Sequence, residues 1–277
     1  MARLISALRL VHPFPSLLNS ALVLGLALIA AGDAARATLL AAGMLGLQFC
    51  IGTVNDLCDE RVDRAAKPWK PIAAGVVSRR AAWTVAFVAG GGGLALAAAA
   101  GSATLAMAAA MMACGLLYDA RLKATPWAWL CFSVAFAILP VYAWYGAAGQ
   151  LPPRLEFLLP LAALAGPLIQ LSNGLSDLER DAAAGLPTLA TRVGRRGSLL
   201  VIGGLLLIVH GLAWLTLTTV TAAALLPVGA ASTLALAGLG LSASERPAWR
   251  EVGWMVQACA IALLGVAWLS AVSAGPA

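Results

Sequence analysis

Residues 55–63 read NDLCDERVD and residues 173–181 read NGLSDLERD. The two stretches align without a gap: Asn55 with Asn173, Leu57 with Leu175, Asp59 with Asp177 and Asp63 with Asp181. The first puts four carboxylates into nine positions of a 277-residue chain that has only 12 Asp and Glu in all. Residues four apart share a helix face, so a helix running through each stretch stacks Asn55, Asp59 and Asp63 in one column and Asn173, Asp177 and Asp181 in another. Two carboxylates ~6 Å apart repel by about 3 kcal/mol at an effective dielectric of about 20, and Asp56 and Glu60 add a second column beside the first. Surface pairs with Arg61 and Arg64 offset little of this, ~0 to 1 kcal/mol each. Rows of hard oxygen ligands suit magnesium, which takes one or two protein carboxylates and completes its shell with water and phosphate oxygens.

The neighbouring cations fit the same chemistry. Lys67, Lys70, Arg79 and Arg80 follow the first stretch, Arg192, Arg195 and Arg196 follow the second, and YDARLK (118–123) lies between. Acids and cations gathered on one face suit a diphosphate: metal bridges it to the acid rows, and Lys and Arg bind the remaining oxygens.

These residues must be positioned by a membrane protein. The chain is 61% hydrophobic and 11% charged, with mean hydropathy +0.90. Its apolar runs approach the ~20 residues that a helix rising ~1.5 Å per residue needs to cross a ~30 Å hydrocarbon layer. Nine spans are expected, near Leu17–Ala31, Thr38–Val54, Ala81–Ala99, Ala103–Leu117, Trp127–Ala147, Phe157–Ser176, Leu199–Leu217, Thr219–Leu241 and Val252–Ser273. The first reads as a retained span and not a cleaved signal peptide, because it starts late and no A-x-A-like site follows it.

With nine spans and a cytoplasmic N-terminus, Arg36 and Arg154 alone fall outside, and the other sixteen of the 18 Lys and Arg, Arg3 included, fall inside. That asymmetry supports both the count and the orientation. The formal charge of +6 therefore faces the cytoplasm, where it attracts anionic lipid; nothing points to nucleic acid. Cys50, Cys58, Cys114, Cys131 and Cys259 show neither metal-ligand spacing nor a disulfide context and read as packing residues. Gly90–Gly93 lies inside a span and follows no strand, so it reads as a close helix contact and not a dinucleotide loop. His210 reads as a hydrogen-bonded helix residue. The acid stretches begin where the second and sixth spans reach the cytoplasm, so a diphosphate held there belongs to a lipid whose tail lies among the helices: an isoprenyl diphosphate.

At this point the chain resembles the UbiA-type intramembrane prenyltransferases. Their N-D-x-x-D-x-x-x-D signature is matched by Asn55, Asp56, Asp59 and Asp63, and D-x-x-x-D by Asp177 and Asp181. DLERDAAAGLPTLATRVG is similar to an extended form through Glu179, Gly185, Thr188, Leu189 and Gly194, and Y-x-x-x-L-K is matched by Tyr118, Leu122 and Lys123. The resemblance implies an all-α polytopic membrane protein with nine transmembrane helices around a central cavity, as two four-helix repeats plus a ninth helix in one domain over residues 1–277. It implies magnesium as cofactor, with Asn55, Asp59 and Asp63 holding one ion and Asp177 and Asp181 the other. Asp59, Asp63, Asp177, Asp181 and Lys123 are the expected catalytic residues, and Asn55, Asp56, Arg61, Lys67, Tyr118, Asn173 and Arg192 the expected substrate-binding ones. Asp119 and Glu179 are the acids to examine as an acceptor base.

Two departures stand out. VHPFPSLLN has His12 where the family often has Arg before Pro, which points to a different acceptor if that Arg contacts substrate. KPWKPIAAG has Lys70 where an Arg is usual, keeping the charge but losing the planar fork. The expected partners are an isoprenyl diphosphate, a lipophilic acceptor and the bilayer, with the site facing the cytoplasm from an inner or plasma membrane. A hydroxylated aromatic, as in quinone-type biosynthesis, leads as acceptor because it is the most frequent in the family. Other possibilities are phosphoribose transfer to polyprenyl phosphate, suggested by KPIAAGVV, a chlorophyll-type acceptor, a glycerol ether lipid, and terpene cyclisation. An ion-coupled transporter is the reading from another class, disfavoured because both acid stretches lie on one side.

Overall fold

The computed structural model describes residues 6–218 and 221–274. Arg3, and Thr219 at the start of the expected eighth span, lie outside the described residues. A 3-10 turn, Arg9–Val11, leads into α1 (Pro13–Ala31), α2 (Ala34–Ala66), α3 (Arg79–Ala100) and α4 (Ser102–Leu117), which runs on into a π-helical turn, Tyr118–Leu122. There follow α5 (Ala128–Ala148), α6 (Leu155–Ser176), the short α7 (Leu178–Ala183), α8 (Leu189–Leu215), α9 (Ala222–Ser242) and α10 (Pro247–Ser273). Among the described residues there is no strand, and nine helices are long and apolar enough to cross a bilayer. The protein is an all-helical integral membrane protein.

Local sequence explains where the helices begin. Asp33 caps α2 by accepting from the amides of Ala35 at 2.9 Å and Arg36 at 3.1 Å. Ser78 caps α3 through the amide of Ala81 at 3.2 Å, and Pro13 opens α1 at a position whose amide needs no partner. The 33 residues of α2 reach about 50 Å, some 20 Å more than the hydrocarbon layer. With no Gly or Pro between Asn55 and Ala66, the expected span simply continues and carries the whole of NDLCDERVD on one helix.

The chain divides into two compact units. The first comprises residues up to Lys123, with Tyr142–Gly149 and Ala183–Gly185; the second comprises Ala124–Val141, Gln150–Ala182 and the residues from Leu186 onward. In the first unit, α2 and α3 meet at glycines, as GGGG suggested. A Cβ on Gly93 would lie 2.8 Å from the carbonyl oxygen of Gly43, and one on Gly46 2.7 Å from that of Ala89. Gly91 and Gly92 face open space. The fully buried Tyr142 donates to the carbonyl of Leu40 at 3.0 Å. In the second unit, α9 and α10 approach at Gly238 and Gly253, and Gln257 links Ser172 of α6 to Ser242 of α9. His210 is hydrogen-bonded as expected, through Nδ1 to Ser232 Oγ at 3.0 Å.

Candidate active site

In the first unit, the end of α2 is a carboxylate row filled by two lysines. Asp56 and Asp63 are buried, and Lys70 Nζ stands 2.8 Å from Asp56 Oδ1 and 2.8 Å from Asp63 Oδ2. The turn after α2 delivers it: Lys70 N–H donates to the carbonyl of Lys67 at 3.0 Å, and Gly75, at φ 69°, takes the left-handed conformation that L side chains rarely adopt. Lys123 binds Asp59 from the end of the π-helical turn, where its amide donates to the carbonyl of Tyr118 at 2.9 Å. Burial works against charge on both lysines. Asp56 and Asp63 outweigh it at Lys70, and Asp59 outweighs it at Lys123, so both ammonium groups are held above the ordinary lysine range.

The rest of the row is also engaged. Asn55 Nδ2 donates to Asp119 Oδ1 at 2.7 Å, and His12 Nε2 lies 3.0 Å from Asp56 Oδ1. Glu60 faces away, to Arg64 at 2.7 Å and to Arg79. Arg61 is exposed and Lys67 half-buried. The links of His12 to Asp56 and of Asn55 to Asp119 cross 44 and 64 residues, and no local spacing announces them. Lys70, noted only as a departure from the usual Arg, turns out to bridge two acids.

In the second unit the expected continuous column is broken. Helix α6 ends at Ser176, Asp177 leaves helical geometry at φ −100° and ψ 1°, and Asp181 sits on the separate α7. At the break two α6 carbonyls accept from side chains: Ser176 Oγ donates to Asn173 O at 2.7 Å and Arg250 Nε to Leu175 O at 3.1 Å. Asp177 is paired with Arg180 at its Oδ1. Asn173 is exposed, Asp181 half-buried, and the exposed Arg192 donates from Nε to Pro187 O at 3.0 Å. Glu179 is bound by Arg250. The extended motif is structural as well: Gly185 is at φ 67°, Thr188 caps α8, and Gly194 interrupts α8 at φ 72° and ψ 172°.

Among the described residues no three Asp, Glu, His or Cys side chains converge as a ready metal cage. Magnesium does not need one, since it keeps water and shares phosphate oxygens. Asp56 Oδ2 and Asp119 Oδ2 are buried without a hydrogen-bond partner, at a cost that a nearby cation would relieve. Hard oxygens of this kind, on a row otherwise neutralised by displaceable ammonium groups, fit a divalent ion.

Comparison with known proteins agrees. Over 178 residues the chain is 34% identical to the digeranylgeranylglyceryl phosphate synthase of Methanoregula boonei, spanning 63% of each chain, so the match covers less than two thirds of that relative. Against the Halobacterium salinarum synthase it is 34% identical over 195 residues, 69% of this chain and 70% of the relative. The solved structure of a UbiA homolog from Archaeoglobus fulgidus bound to GPP and Mg2+ superposes with a TM-score of 0.69 at 22% identity, over 96% of this chain and 99% of that one. Residues 17–252 match the model of the UbiA prenyltransferase family, and with acid motifs, span number and fold in agreement, the chain belongs to that family.

Proposed function

We propose that the protein is a magnesium-dependent intramembrane prenyltransferase that cleaves an isoprenyl diphosphate and transfers the prenyl group to a glycerol ether phosphate. The observation that carries the reading is the row Asp56, Asp59 and Asp63 on one helix end, held by Lys70 and Lys123. Asn55, Asp59 and Asp63 would hold one magnesium ion, and Asp177 and Asp181 the other. Bound there, magnesium supplies positive charge for the diphosphate as its bond to the allylic carbon breaks.

The chain's own residues do the rest. Lys123 and Lys70 stay charged and exchange carboxylate partners for phosphate oxygens, Lys123 within reach of Tyr118 on the same turn. Arg61 and Lys67, beside the first acid stretch, and Arg192, beyond the second, would add positive charge for phosphate oxygens, and the apolar helices keep water from the allylic cation. The sorting of Lys and Arg supports a cytoplasmic N-terminus and a cytoplasm-facing site.

The acceptor differs from the aromatic one that leads on sequence. That preference rested on frequency within the family and on no residue. The relatives carrying the name digeranylgeranylglyceryl phosphate synthase reach 34% identity and favour a glycerol ether; His12, paired to Asp56 where the family often has Arg, is the departure expected to go with a different acceptor. The test is a competition in nanodiscs: geranylgeranyl diphosphate with equal geranylgeranylglyceryl phosphate and 4-hydroxybenzoate, products resolved by mass. The diether phosphate is expected. A prenylated benzoate in its place would refute the acceptor while leaving the prenyl chemistry standing.

A further inference from the structure

Arg250 is 1% exposed, near the start of α10 and 69 residues beyond Asp181 in sequence, and no motif includes it. Its guanidinium is nearly saturated. Nε donates to Leu175 O at 3.1 Å, Nη1 to Ser244 O at 3.3 Å and Glu245 O at 3.0 Å, and Nη2 to the carboxylate of Glu179. A buried cation is tolerated only when so paired, and here its partners lie on three segments: the last turn of α6, the α9–α10 turn, and α7.

The acceptor of the Nε bond gives the arrangement its meaning. In an unbroken helix Leu175 O would receive the amide of Glu179, and the acids would stand in the straight column expected from NGLSDLERD. With Arg250 on that carbonyl, α6 stops at Ser176, and Asp177 sits at the break with its amide turned to Gly174 O at 3.2 Å. The same guanidinium holds the restart of the chain through Glu179, which lies between Asp177 and Asp181.

We infer that Arg250, with Glu179 as its counter-ion, is a positioning residue that sets the break in the second acid motif and so places Asp177 and Asp181. This rests on the metal–diphosphate reading of that motif only for its functional consequence; the break itself is a property of the chain alone. Glu179 is thereby a structural anchor and not the acceptor base.

Two readouts test it, on the full chain in nanodiscs. Amide hydrogen exchange across residues 174–186, without magnesium or substrate, is expected to rise at least about tenfold in Arg250→Met while α8 stays protected. In the same variant the magnesium concentration for half-maximal diphosphate release is expected to rise about 10- to 100-fold, the usual cost of losing a group that orients metal ligands, with kcat at saturating magnesium changing far less. A lower melting temperature with unchanged exchange in 174–186 and unchanged magnesium half-saturation would overturn the proposal. If Arg250→Met does not fold, Glu179→Gln decides: its glutamate is 57% exposed and the three carbonyl bonds remain. A raised magnesium half-saturation then supports the proposal, and an unchanged one overturns it. Absence of magnesium-dependent release in the wild type would sink the proposed function but leave the exchange result to judge Arg250.

Discussion

Replacing Lys70 with Met keeps the stem's bulk and removes the ammonium between two buried acids. Asp56 Oδ1 and Asp63 Oδ2 each lie 2.8 Å from Nζ, so they are at most twice that apart, about 5.6 Å. At an effective dielectric of about 20, two bare carboxylates at that separation repel by about 3 kcal/mol. The Lys70 side chain is only 16% exposed, so water does little of the screening, although His12 remains on Asp56. For a chain of this size about 3 kcal/mol corresponds to a melting temperature lower by about 6–12 °C. The assay is thermal unfolding in detergent, with EDTA and then with a magnesium series. The deficit is expected to shrink as magnesium rises, because an ion at about 100 times its Kd returns about 2.7 kcal/mol and meets no competing ammonium in the variant. A melting temperature within about 1 °C of wild type in EDTA, or a deficit of the same size at every magnesium concentration, would refute the reasoning.

Other perturbations address positions away from the lysines. Gly93→Ala places a Cβ 2.8 Å from one backbone atom and 2.9 Å from another and should cost about 1–3 kcal/mol. Gly91→Ala and Gly92→Ala, with nothing within 4 Å, should be neutral or stabilising, and parallel thermal unfolding of the three variants checks this. Tyr142→Phe removes a buried hydrogen bond to Leu40 O, a carbonyl that stays within the α2 ladder, a loss of about 0.5–1.5 kcal/mol visible in the same assay. Asn55→Leu removes the donor to Asp119 and an expected metal ligand together, so magnesium half-saturation should rise by about tenfold or more; an unchanged value contradicts the role given to Asn55.

How much of this was legible depended on whether the determinant was local. The nine spans follow from apolar run length, and the packing at Gly90 and Gly93 from small residues inside a span. The continuation of α2 through Asp63 could be read from the absence of any breaker before Pro68. The break at Ser176 could not: the donor we propose to set it, Arg250 on Leu175 O, comes from 75 residues further on. The partners of the acid row were hidden for the same reason: His12, Lys70 and Asp119 reach it by tertiary packing, and an alignment of two nine-residue stretches carries no information about them. The two stretches thus share residue types but not backbone, one a column on a helix and the other two acids flanking a break.

The central claim is that these acid motifs exist to hold magnesium against an isoprenyl diphosphate. The measurement that tests it most directly is diphosphate release from geranylgeranyl diphosphate by protein in nanodiscs, with the glycerol ether acceptor present, in magnesium and in EDTA, for wild type and Asp59→Ala. The account predicts release by the wild type in magnesium only, reduced at least about 100-fold in Asp59→Ala. Release that persists in EDTA, or that survives the loss of Asp59, would contradict it.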